Sequence, residues 1–61
     1  MKLLNKRQVK EVVLYSFAHI DRLEKAGKFP KRVKLGPNRV GWLEQEIYDW
    51  LQIRIDERAF D

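Results

Sequence analysis

Apolar residues recur at helical spacing in three stretches of the chain and alternate with polar ones in between. Val9, Val12 and Val13 follow an i, i+3, i+4 spacing, with Lys6, Arg7, Lys10 and Glu11 on the opposite side, as in a helix with one buried face. Asn5 precedes this stretch and Gln8 follows three residues later, so each side chain can accept from the other's backbone N–H, and Leu4 is placed to staple against Val9. The pattern predicts a short helix from Lys6 to Val13. Leu14 and Tyr15 then form a turn and Ser16 caps a second helix, in which Ile20 and Leu23 point inward. Gly27 stands where a left-handed residue would end that helix, and Pro30 blocks any continuation. The second helix is therefore predicted from Phe17 to Ala26, and two short helices joined so tightly form a helix-turn-helix.

After Pro30 the period changes. Val33 and Leu35 flank Lys34, a turn follows at Gly36, Pro37 and Asn38, and a second apolar run ends in Trp42. This reads as a β-hairpin, with Val33 and Leu35 facing the core and Lys34 facing outward. Helical spacing returns with Leu43, Ile47, Trp50, Leu51 and Ile55. Glu44, Glu46 and Asp49 at its start and Arg54 and Arg58 near its end suit the helix dipole, predicting a third helix from about Glu44 to Glu57. The expected fold is α+β, mostly α: helix, turn, helix, β-hairpin wing, helix. That is a minimal winged helix-turn-helix, forming one domain over residues 1–61.

Composition narrows the functions open to it. The chain has 61 residues, and domains of this size bury only about 60% of the surface their unfolded chains expose. It contains no cysteine and a single histidine, His19, so neither a disulfide nor a zinc site is expected, and no cofactor. Apolar runs such as Val12 to Tyr15 fall far short of the roughly 20 residues that cross a bilayer, and no signal-peptide pattern opens the chain, so a cytoplasmic protein is expected. Glu44 and Glu46 do not make a catalytic pair, because residues two apart on a helix point in different directions; no nucleophile with a base accompanies them. No enzyme is expected.

Charge is unevenly spread. Residues 1–24 carry five basic and three acidic groups, residues 25–42 six and none, and residues 43–61 two and six. The net charge of +4 is thus concentrated in the hairpin region, with an acidic C-terminal helix turned elsewhere. Such a field suits a polyanion on one face. A Lys-rich edge that merely prevents strand aggregation is the simpler alternative, but it does not require acidic residues to be absent for so long.

The order of an Asn-Lys-Arg-Gln-Val first helix (Asn5 to Val9), a Ser-capped second helix, Gly-Lys-Phe-Pro-Lys at Gly27 to Lys31, Val-Lys-Leu-Gly at Val33 to Gly36 and Val-Gly-Trp-Leu-Glu at Val40 to Glu44 closely resembles the AlpA family of small phage-type regulators. The resemblance runs from about Leu4 to Leu51 in one register. It implies a fold similar to the MerR-like winged helices and the excisionases, and a sequence-specific DNA-binding protein of a prophage or genomic island. Such a protein would act as a transcriptional regulator, often of an integrase gene, or as an excisionase in DNA recombination. Two departures stand out. Where the family usually has a glycine in the turn, this chain has Leu14; where it usually has Ser-Arg-Ser-Thr, this chain has Ser16, Phe17, Ala18 and His19.

A helix in the major groove reads bases with outward side chains near its N-terminus. The candidates there are Ser16, Phe17, Ala18, His19, Arg22 and Lys25. Arg22 can bridge guanine O6 and N7 or clasp a phosphate, unless it pairs with Asp21, Glu24 or another surface carboxylate. Phe17 can press on a thymine methyl or pack on the turn beside Tyr15. Ser16 can present backbone N–H groups to a phosphate. In the wing the candidates are Lys31, Arg32, Lys34, Asn38 and Arg39, with Arg39 reaching the adjacent minor groove and Asn38 serving the turn. Phe29, Trp42, Tyr48 and Trp50 suggest a stacking platform for single strands, but their positions at junctions and on the apolar stripe favour core packing.

The expected partners are double-stranded DNA, an integrase or recombinase, and further copies of the chain. Asp56, Glu57 and Asp61 would meet a neighbour's basic wing in a head-to-tail contact that does not close on itself. A competing reading is a protein-interaction module that engages a recombinase or polymerase subunit through the acidic C-terminal helix.

Overall fold

The computed structural model describes residues 1–58. Its elements in order are β1 (Leu3–Leu4), α1 (Lys6–Val13), α2 (Phe17–Lys25), β2 (Val33–Gly36), β3 (Arg39–Leu43) and α3 (Glu44–Arg58). The strands form an antiparallel sheet of order β1-β3-β2. Three helices with this small sheet make a mostly helical α+β fold, that of a small winged helix.

Local chemistry sets the helix ends. Asn5 N donates to Gln8 Oε1 at 2.9 Å and Gln8 N to Asn5 Oδ1 at 2.8 Å, so the predicted reciprocal cap starts α1. At the end of α2, Gly27 N donates to the Glu24 carbonyl at 3.0 Å and Lys28 N to the Leu23 carbonyl at 2.8 Å. This is a Schellman closure, and it needs the left-handed Gly27, whose φ is 72°. α3 starts directly from β3, with Glu44 N donating to the Lys2 carbonyl at 2.9 Å.

The core comprises Leu4, Val9, Val13, Ile20, Phe29, Trp42 and Ile47. β1, which the sequence reading missed, runs beside β3 with Leu3 opposite Leu43 and Leu4 opposite Trp42. Gly41 lets this approach happen, because a Cβ there would lie 3.1 Å from Leu35 Cδ1 and 3.3 Å from the Leu4 carbonyl oxygen. Three expected core positions are corrected. Val33, Leu35 and Ile55 remain 37%, 50% and 48% exposed. The pairing passes from Lys34–Val40 to Gly36–Arg39 and leaves Leu35 as an extra residue, a bulge near the wing tip. Among the described residues no further layer covers the hairpin or the last turns of α3.

Leu14 occupies the left-handed region, at φ 64° and ψ 22°, where it ends α1 while 84% exposed. A side chain in that conformation costs about 1–2 kcal/mol, offset in part by glycine's greater unfolded freedom. Leu14→Gly is therefore expected to stabilise the chain by about 0.5–1 kcal/mol, measured by urea unfolding. A lower unfolding midpoint would refute this account of the turn.

Candidate nucleic-acid interface

Ser16 stands in an extended conformation and its Oγ accepts from His19 N at 3.2 Å, opening α2. Along that helix Ser16, Ala18, Arg22 and Lys25 are exposed. Phe17 packs against the core. Its ring is half-buried against the core, with Lys6 Nζ 5.4 Å and Lys10 Nζ 5.1 Å from its centroid. His19 is half-buried too, its ring stacked on Tyr15 at 4.3 Å and 9°. Tyr15 in turn meets the edge of Trp50, so His19 extends an aromatic stack rather than standing free.

Lys31, Lys34 and Arg39 are exposed on the wing. Pro37 followed by Asn38 at φ 59° fits the central positions of a type II turn, which gives Asn38 its structural task. A shallow groove between the wing tip and the start of α1 is lined by Asn5, Lys6, Leu35, Asn38, Arg39 and Val40. Lys6 thus lies both at this groove and at the Phe17 ring. It lies between the start of α2 and the wing tip, with Lys10 beside the same ring. Neither lysine was among the sequence-based candidates, although Lys6, Arg7 and Lys10 within little more than one helical turn were the visible signal.

Arg32 lies elsewhere. Its Nε donates to both Glu24 carboxylate oxygens, at 3.0 and 2.9 Å, its Nη2 donates to Asp21 Oδ1, and its backbone N donates to Glu24 Oε1 at 3.3 Å. The guanidinium also covers the Trp42 ring at 5.1 Å. The hydrogen bond from Arg32 holds the Asp21 carboxyl below its ordinary value of 3.8, against desolvation and with help from the charges of Arg32, Lys6 and Lys25. The same bond raises Arg32. The two carboxylates considered as partners for Arg22 are therefore held by Arg32, and among the described residues Arg22 forms no ion pair.

The aromatic platform does not form. Phe29 and Trp42 are buried, and the indole N–H groups of Trp42 and Trp50 donate to the carbonyls of Pro30 at 3.1 Å and Lys28 at 2.8 Å. Only Tyr48 of the four is exposed. Of the groups set for the head-to-tail contact, Asp56 and Glu57 are exposed on α3, and Asp61 lies outside the described residues. No described helix is long and apolar enough to cross a membrane.

The family model described as "Prophage CP4-57 regulatory protein (AlpA)" matches residues 2–55. No curated protein matches the chain.

Proposed function

We propose that this chain, which belongs to the AlpA family of prophage regulatory proteins, binds duplex DNA sequence-specifically as a MerR-like winged helix-turn-helix. The start of α2 enters the major groove, with Arg22 as the principal base reader and Ser16, Ala18, His19 and Lys25 around it. Lys31, Lys34 and Arg39 bind flanking phosphates or the adjoining minor groove, with Asn38 shaping the wing tip. Phe17 acts through packing, and Arg32 is removed from the set of DNA contacts because its charge is spent on Asp21 and Glu24. The observation that carries this reading is the placement of Lys6 beside both the start of α2, at Phe17, and Arg39 of the wing. The protein carries out no chemistry. It acts as a transcriptional regulator, or as an excisionase that arranges DNA for an integrase.

One module of this size covers only about 600–1,000 Å² of protein surface on DNA, too little to define a genomic site. Adjacent copies supply the rest, the acidic end of α3 meeting a neighbour's basic wing. A second reading, contact with a recombinase or polymerase subunit, is favoured by Tyr48, Ile53 and Ile55, which stay exposed on α3 among acidic residues.

Titration of duplexes from upstream of the protein's own gene and of a neighbouring integrase gene tests the proposal. If about four to six phosphates are neutralised, log K should fall against log salt with a slope of roughly −4 to −5. On direct repeats, binding should be cooperative, and deletion of residues 56–61 should remove the cooperativity while leaving single-site affinity. A slope near zero sinks the DNA reading. A stable dimer without DNA, or non-cooperative titration, sinks the head-to-tail arrangement.

A further inference from the structure

We propose that Arg32 is a positioning residue that fixes the reading helix α2 against the wing, and so governs sequence selectivity without touching DNA. This rests on the DNA-binding reading above and assigns that interface a control point inside the fold.

α2 needs such a clamp. The backbones of α1 and α3 both approach β3 closely, whereas α2 has no comparably close partner among the strands and helices. Its placement depends on side chains: Ile20 in the core, Phe17 and Leu23 against it, and the two carboxylates at Asp21 and Glu24. Those carboxylates are one turn apart on the helix, so a single planar fork can take both. Arg32 supplies that fork from the residue immediately before β2. Its other face lies on Trp42 in the central strand, whose indole N–H is held in turn by the Pro30 carbonyl. The guanidinium is thus bonded to the helix at its edge and seated on the sheet at its face.

Lever length makes this matter. The four residues of β2 carry the wing tip roughly 13 Å beyond Arg32 at about 3.3 Å per residue. A swing of about 10° at the base would displace the tip by roughly 2 Å, enough to break a hydrogen bond that tolerates only a few tenths of an ångström. Random DNA is held by charge and tolerates such a swing, whereas a cognate site that must meet α2 and the wing together does not. Lysine cannot replace this residue, because an ammonium has neither the planar fork nor the flat face that rests on indole.

The test turns on a reversal of sign. Asp21→Asn with Glu24→Gln removes two negative charges beside the interface, so electrostatics alone requires tighter binding to every duplex. The clamp requires the reverse at the cognate site: affinity there should fall about tenfold, the scale of a coupled ion-pair network, while affinity for random duplex holds or rises. Arg32→Gln and Arg32→Lys should cause the same loss of selectivity with the salt slope unchanged.

Backbone amide relaxation without DNA supplies an independent readout. In these variants residues 36–39 should gain motion relative to α1, whose cap on Asn5 is untouched. A parallel rise in cognate and random affinity for the double variant would overturn the proposal. So would a salt slope flattened by about one in Arg32→Gln, which is the mark of a lost phosphate contact. Failure of the unmodified protein to bind any duplex would overturn the DNA reading and this inference together. Unaltered selectivity in the variants would overturn this inference alone.

Discussion

Trp42→Ala is expected to remove a third or more of the chain's stability at 25 °C. Trp42 is 1% exposed on the central strand, opposite Leu4, and its indole N–H donates to the Pro30 carbonyl. Truncating a buried tryptophan costs about 3–5 kcal/mol. A domain of this length has a total stability of roughly 3–9 kcal/mol, at about 0.05–0.15 kcal/mol per residue. The loss is greater than lost packing alone, because Trp42 is also the seat of Arg32, whose removal frees the wing base from α2. Trp42→Phe should retain much of the volume but leave the Pro30 carbonyl without its donor, costing about 1–2 kcal/mol. Urea unfolding followed by circular dichroism measures both. A loss below about 1 kcal/mol for the alanine variant would show that the core does not depend on this ring.

What was legible in the sequence is what neighbouring residues decide. The cap of Asn5 with Gln8, the Ser16 cap and the Gly27 closure each involve groups at most five residues apart, and each appears as the spacing indicates. The helix spans follow within one residue, Ala26 capping α2 and Arg58 extending α3. Features decided by distant pairing were not legible. A two-residue strand such as β1 has no period to detect, and its partner β3 lies beyond α1, α2 and β2 in the chain. Val33 and Leu35 alternate with Lys34 as a buried face would, but the fold sets too little against that side of the wing to bury them. Ile55 continues the stripe of α3 past the point where the small body has anything to set against it.

The candidate site divides the same way. Exposure of Arg22, Lys25, Lys31, Lys34 and Arg39 was legible because nothing in their local pattern calls for burial. The diversion of Arg32 was not, since its partners lie eight and eleven residues away. Its neighbours Lys31 and Lys34 carry the same charge and differ only in where the fold puts them. Lys6 was missed for a related reason: helix α1 was read for its buried face, and only the folded chain brings its outer lysines beside Phe17 and Arg39.

The reading helix and the wing should separate in their response to sequence. Arg22 is exposed on α2 and free of the carboxylates beside it, so it is available for a bidentate contact to guanine in the major groove. Arg22→Ala should then cost about 1–3 kcal/mol at the cognate site and much less on random duplex. Lys34 lies on the outer strand of the wing, opposite Val40, where the proposed partner is a phosphate. Lys34→Ala should weaken both duplexes nearly equally and flatten the salt slope by about one. Neither residue belongs to the core, so both variants should keep the unfolding midpoint of the unmodified chain, which separates lost contacts from lost fold. Titration of the two variants on cognate and random DNA at several salt concentrations measures all of this. Equal losses from Arg22→Ala on the two duplexes would move Arg22 to a phosphate, and base reading would then have to come from Ser16, Ala18 and His19 at the very start of α2.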